Sequence, residues 1–236
     1  MKILIVLTSH EDLANTGNKT CFSIEEFASP FYVLKDAGAD IILASPRGGQ
    51  PPIDPQIAVP GTCGEATKRF QEDTITQELL ANTKKLTEVS ADDFDAVFYP
   101  CGHGPLWDLA NNKESIHLIK TFLATEKPVA AVCHAPAALL NVYDENGDSV
   151  VKDKNVTGFS NTEEEAVHLT HVVPFSIQNE LKNNEAVYSK KENWESNVMV
   201  DGLLFTGQNP ASSAELARQL LSYLKNKIPN KVDELV

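Results

Sequence analysis

Short apolar runs, separated by stretches with helical spacing, constrain this chain more than any other feature. ILIVLT at 3–8, ADIILASP at 39–46, FDAVFYP at 94–100, KPVAAVC at 127–133 and LLFTGQNP at 203–210 are near-continuous rather than alternating. That is the pattern of strands covered on both faces, as in a parallel sheet. NVTGFS at 155–160 predicts a shorter strand. Ile24, Phe27, Phe31 and Leu34 recur at three- and four-residue intervals and predict a helix over 22–37, which Pro30 should kink or divide. Helical patterns also cover part of 65–88, and 112–125, 172–182 and 212–227. TEEEAVHL predicts a helix over 162–169, with Thr162 as N-cap and Glu165 at the capping-box position. SPRGGQPPIDP is dense in Gly and Pro and reads as loop. Strands separated by helices predict an α/β fold, a mostly parallel sheet with helices on both faces. No repeat or linker interrupts it, so residues 1–236 are expected to form a single domain.

Charge narrows the function. A net charge of −13 argues against a nucleic-acid-binding surface, which should be basic. GxGxxG is absent, which argues against dinucleotide binding. No stretch approaches the length of a membrane span. MKILIVLTSH lacks the h-region and cleavage site of a signal peptide and reads as the first strand. The four cysteines, Cys21, Cys63, Cys101 and Cys133, form no CxxC pair and no zinc-type spacing. A cytoplasmic protein with reduced thiols is expected.

AVCHAPAALL at 131–140 places a cysteine and a histidine where a buried strand gives way to a helix. Ligands of open parallel sheets bind at the carboxyl ends of the strands. A helix starting near His134 would direct its N–H groups at Cys133 and lower the thiol pKa. The turn also has the form of a nucleophile elbow, in which the His134 N–H helps bind an oxyanion. A buried structural cysteine fits the same apolar run. CGHG at 101–104 follows another buried strand, and the Gly102 N–H is a natural second oxyanion donor. A carboxylate is still needed. Glu25 and Glu26 on the first helix, and Glu163, Glu164 and Glu165 after NVTGFS, are candidates that periodicity does not separate. His168, His171 and Glu164 would share one face of a continuous helix, either as a metal set or as a solvated surface.

ILIVLTS, EEFASPFYVLKDAG, LASPRGGQPPIDP, DDFDAVFYPCGHGPLWDL, PVAAVCHAPAALL, VTGFSNTEEEAV, VVPFSIQNELK and LLFTGQNPASS together resemble the ThiJ/PfpI superfamily, which includes the Parkinson-associated deglycase. Within it, the chain is most similar to the heat-shock-type glyoxalase III branch. The resemblance spans nearly the whole chain in order. It implies a flavodoxin-like, class I glutamine amidotransferase-like sandwich. It also implies a catalytic set of Cys133 as nucleophile, His134 as base, Glu164 as its partner and Glu26 against the thiolate, with Gly102 and His134 as oxyanion hole. Three departures stand out: the branch carries glycine where this chain has Cys101 and Cys21, and Ala135 replaces a common glycine.

The implied activity is that of a glutathione-independent glyoxalase, a hydro-lyase of the D-lactate dehydratase type. It converts methylglyoxal, or glyoxal, in defence against carbonyl stress, without metal or organic cofactor and without nucleic-acid or membrane partners. A homodimer is implied as well. The other functions compatible with the same residues are a stress holdase chaperone, a cysteine-oxidation sensor, and a Cys-dependent peptidase, amidase or protein deglycase.

Overall fold

The computed structural model describes residues 1–20, 22–53, 64–100 and 102–227. The elements run β1 (Lys2–Val6), α1 (Ile24–Asp36), β2 (Asp40–Ser45), α2 (Glu65–Glu72), α3 (Thr74–Ala81), β3 (Lys84–Lys85), β4 (Ala96–Tyr99), α4 (Lys113–Ala124) and β5 (Val129–Val132). They continue with β6 (Asn155–Val156), α5 (Asn161–Ala166), α6 (Ile177–Asn183), β7 (Val187–Tyr188), β8 (Val198–Asp201), β9 (Leu204–Gly207) and α7 (Ser213–Lys227).

Seven strands form one sheet in the order β3-β2-β1-β4-β5-β9-β8. All pairings are parallel except β8 with β9. Every residue of β4, β5 and β9 is buried, as their largely apolar character predicts. α1 packs on α7, and α4 lies against β4 and β5, so helices cover both faces. Strand order moves outward from β1 through β2, then returns to the other side of β1 with β4. The order reverses between β1 and β4, and ligands of such sheets bind outside the carboxyl ends of the strands at such a point. No helix among the described residues is long and apolar enough to cross a membrane.

Several local expectations need correction. Pro30 does not divide α1, which is continuous over thirteen residues. The proline forfeits one backbone bond, at a cost of about 3 kcal/mol. Burial of Phe27, Pro30, Phe31 and Leu34 along the same helix offsets it. NVTGFS contributes only Asn155–Val156 as strand, paired with β7 in a separate two-stranded sheet. The expected helix over 172–182 begins only at Ile177, with Ser176 accepting the Asn179 N–H as its cap. Pro174 accounts for the delay, because it disfavours helical backbone at Val173. β3, β7 and β8 carried no readable signal, being short and at most partly buried.

The helix expected after Cys133 is a 3-10 segment of five residues, Ala135–Leu139. Pro136 sits in its first turn. So short a segment builds little dipole, and the expected helix-end stabilisation of a thiolate has no physical basis here. Ala135 is fully buried within it.

Candidate active site

Cys133 closes β5 with φ of +65°, in the left-handed region that a side chain rarely adopts. The backbone holds it there from both sides. The Cys133 N–H donates to the Gly207 carbonyl at 2.9 Å, and its own carbonyl accepts the Phe159 N–H at 2.8 Å. Gly207 is needed for that pairing, since a Cβ there would lie 2.9 Å from Val132 Cγ2. The elbow form expected from the sequence is therefore present, over-determined by β9 and by the turn after β6. Left-handed backbone costs a residue with a Cβ roughly 1–2 kcal/mol. Part of that is regained by glycine, which loses more chain entropy on folding. Cys133→Gly should thus be more stable than Cys133→Ala by about 0.5–1 kcal/mol in urea unfolding. Equal stabilities would mean the elbow stores no strain.

His134 follows directly and is buried. Its Nδ1 lies 3.3 Å from Cys133 Sγ and its Nε2 lies 2.7 Å from Glu164 Oε2. An ionised carboxylate only accepts, so His134 Nε2 carries the hydrogen. In the neutral imidazole Nδ1 is then bare and faces the thiol, the arrangement a general base needs. Burial depresses the His134 pKa from 6.5 to about 4, assisted by the charge of His103 and opposed by Glu164. Burial alone would raise the Glu164 pKa, but the His134 charge and the hydrogen bonds from His103 and His134 outweigh it and keep the carboxyl ionised. Phe159 packs over the His134 ring at 4.3 Å between centroids.

The neutral state of His134 gives stability a pH dependence of known sign. Its folded pKa of about 4 lies below the ordinary 6.5, so between these values the unfolded chain binds the extra proton. His134 therefore contributes stability in full above pH 6.5, and loses it as pH falls toward about 4. The full loss is roughly 3 kcal/mol, at about 1.4 kcal/mol per pKa unit. Urea unfolding across that window should show a shallower pH slope for His134→Asn than for the wild type, and equal slopes would contradict it.

Glu163, Glu164 and Glu165 separate cleanly. α5 starts two residues earlier than TEEEAVHL suggested. Ser160, not Thr162, is the N-cap, and Glu163, not Glu165, closes the capping box. Both registers satisfy the same sequence rule. The observed one buries Glu163 and Glu164 and leaves Glu165 exposed. Thr162 Oγ1 instead donates to Asn193 Oδ1 at 2.6 Å. α5 ends at Ala166, and His168 (φ +60°) and His171 lie beyond it on the surface. They therefore share no helical face with Glu164, which removes that metal set.

Glu25 and Glu26 also part. Glu25 Oε2 accepts from Thr67 Oγ1 at 2.6 Å, Thr67 N at 3.1 Å and Gly64 N at 3.2 Å. It thereby caps α2 from outside, where Gly64 offers no side chain. Glu26 is 2% exposed in the first turn of α1. Phe22, just before that helix, pairs with Gly102 in an antiparallel bridge. This brings the start of α1 to the turn after β4. Cys21, Cys63 and Cys101 lie outside the described residues, and with them the departures from glycine expected at Cys21 and Cys101.

His103 lies in the CGHG turn, where the sequence pattern assigns it no role. It is buried, with Nε2 at 3.0 Å from Glu164 Oε1. Its ring lies 4.0 Å from that of His134, centroid to centroid. Gly104 behind it touches Thr8, and a Cβ there would come within 2.5 Å of Thr8 Oγ1. The only sequence signal for His103 was its place after a buried strand beside the cysteine strand. His103, His134 and Glu164 offer three ligand atoms within 4.8 Å of one another, a set that could take a metal ion only if the histidine nitrogens facing Glu164 gave up their hydrogens.

The model of the DJ-1/PfpI family matches residues 20–223. Glyoxalase 3 of Candida albicans is 30% identical over 232 residues, covering 94% of this chain and 98% of that protein. Glutathione-independent glyoxalase HSP31 of Saccharomyces cerevisiae is 29% identical, covering 95% and 98%. Among solved structures, Rapid Encystment Protein 24 KDa of Francisella tularensis superposes with a TM-score of 0.89 at 36% identity, covering 94% of this chain and 98% of that one. Glyoxalase III of Candida albicans gives a TM-score of 0.86, covering 94% and 96%.

Proposed function

The chain belongs to the DJ-1/PfpI family, and we propose that it is a glutathione-independent glyoxalase converting methylglyoxal and water to lactate. The relatives named as glyoxalases at about 30% identity, covering nearly their whole length, support an enzyme of this type. The observation that carries the mechanism is the line from Cys133 Sγ through His134 to Glu164, at 3.3 Å and 2.7 Å.

In this reading His134 Nδ1 takes the Cys133 thiol proton and the thiolate attacks the aldehyde carbon of methylglyoxal. A C–S bond forms, and the former carbonyl oxygen becomes the oxyanion of a hemithioacetal. The N–H groups of Gly102 and His134 are assigned to that oxyanion. After its protonation, His134 removes the hydrogen from C1 and the electron pair moves into an enediol. Return of the proton to C2 gives the thioester of lactate. Water then adds to the thioester, and lactate leaves as the thiol is regenerated. Glu26 is assigned the proton that stabilises the Cys133 sulfur. Neither a metal nor an organic cofactor enters any step.

The test is lactate formation from methylglyoxal by purified protein, with glutathione absent and the Cys133 thiol confirmed reduced. Lactate accumulating in proportion to enzyme is expected. Its absence would overturn the reading.

A further inference from the structure

Glu164 is a shared carboxylate. Oε2 accepts from His134 Nε2 at 2.7 Å, while Oε1 faces His103 Nε2 at 3.0 Å. The side chains of His134, Glu164 and His103 are 1%, 7% and 10% exposed, so hardly any water reaches the line. A carboxylate held by one imidazole keeps a free torsion at its end and can offer either oxygen. A second donor on the other oxygen removes that freedom, because the two bonds fix the carboxylate plane. The second donor is itself well held. It comes from the turn after β4, where Gly104 sits against Thr8, and Phe159 packs near its ring at 6.2 Å and over that of His134.

We propose that His103 is a positioning residue for the His134 base: by donating Nε2–H to Glu164 Oε1, it fixes the oxygen that keeps the hydrogen on His134 Nε2 and leaves Nδ1 bare toward Cys133. His103 acts through Glu164 and does not need to touch substrate. Its loss therefore lowers the rate at which the thiol is activated, not the affinity for a dicarbonyl. The catalytic part of the inference rests on the glyoxalase reading, whereas the effect on the thiol does not.

Two variants and two assays test it. His103→Leu removes the donor and keeps much of the bulk, and His103→Gln supplies an amide N–H of similar reach. The first assay is alkylation of Cys133 by iodoacetamide, followed on its own peptide by mass spectrometry. The second is lactate formation from methylglyoxal. His103→Leu should slow alkylation and lower kcat by about tenfold to a hundredfold, with KM within about twofold, as expected for a misplaced catalytic group. His103→Gln should recover to within about threefold of wild type, since it restores the hydrogen bond. Wild-type behaviour of His103→Leu, or a His103→Gln as slow as His103→Leu, would overturn the proposal. Should His103→Leu fail to fold, alkylation of His103→Gln more than about tenfold below wild type would overturn it as well. If the wild type makes no lactate while alkylation still follows the Leu and Gln pattern, the glyoxalase reading falls and the role of His103 stands.

Discussion

Replacing Cys133 by alanine should reduce lactate formation from methylglyoxal by at least about a thousandfold, while the melting curve stays close to that of the wild type. The size follows from covalent catalysis: without the sulfur there is no hemithioacetal, and a residue that works as a unit with its base takes the whole pathway with it. The small stability effect follows from what the sulfur does in the fold. The His134 ring is one of its partners, and Gly207 and Phe159 hold the backbone through groups that alanine retains. Cys133→Ser would be a weaker test, because a hydroxyl accepts and donates where the thiol did. Turnover by the alanine variant within tenfold of wild type would exclude a thiohemiacetal route. Lactate would then have to arise from His134 and Glu164 acting on hydrated substrate alone.

Glu163→Ala should be the most destabilising single change at the site, costing about 3–5 kcal/mol in urea unfolding, the range for leaving buried charged-network partners unpaired. The side chain is fully buried. Its Oε2 accepts from Ser160 N at 3.0 Å and Ser160 Oγ at 2.8 Å. Its Oε1 accepts from Trp194 N at 3.0 Å, Gln208 Nε2 at 3.1 Å and Asn209 Nδ2 at 2.8 Å. These donors come from the start of α5, the segment before β8 and the turn after β9, so this one carboxylate ties three separate segments together. Glu164→Gln should do the reverse. Its stability should change by only about 1 kcal/mol, because an amide keeps one acceptor for one histidine. Turnover should fall by about a hundredfold or more, as when a triad carboxylate is replaced by an amide and the histidine takes the wrong tautomer. If the two adjacent glutamates showed the same balance of stability and rate loss, the division of labour between them would be wrong.

Much of the fold was legible because burial leaves a local mark. β1, β2, β4, β5 and β9 are near-continuous apolar runs, and the helices α1, α4 and α7 carry apolar residues at helical spacing. Strands at the edges, β3, β7 and β8, left no such mark, since solvent on one side removes the pressure for an apolar run. Cap register was ambiguous for a related reason. Ser160 with Glu163 and Thr162 with Glu165 both fit a capping box, and only the interior they face distinguishes them.

The sequence by itself determined that Cys133 and His134 stand together at the carboxyl end of a buried parallel strand, because chain neighbours at a strand end need no fold to bring them together. It also determined that the CGHG turn follows a buried strand. Residue patterns left the carboxylate open and the family resemblance pointed to Glu164; the tertiary structure brings Glu164 to the histidine, and it alone decided that a second histidine meets the same carboxylate. His134 and Glu164 are thirty residues apart, and His103 and Glu164 sixty-one. Contacts over such distances depend on how β4, β5 and α5 pack. Within α5, a shift of two residues in the start of the helix decides whether Glu163 and Glu164 face the interior or the solvent.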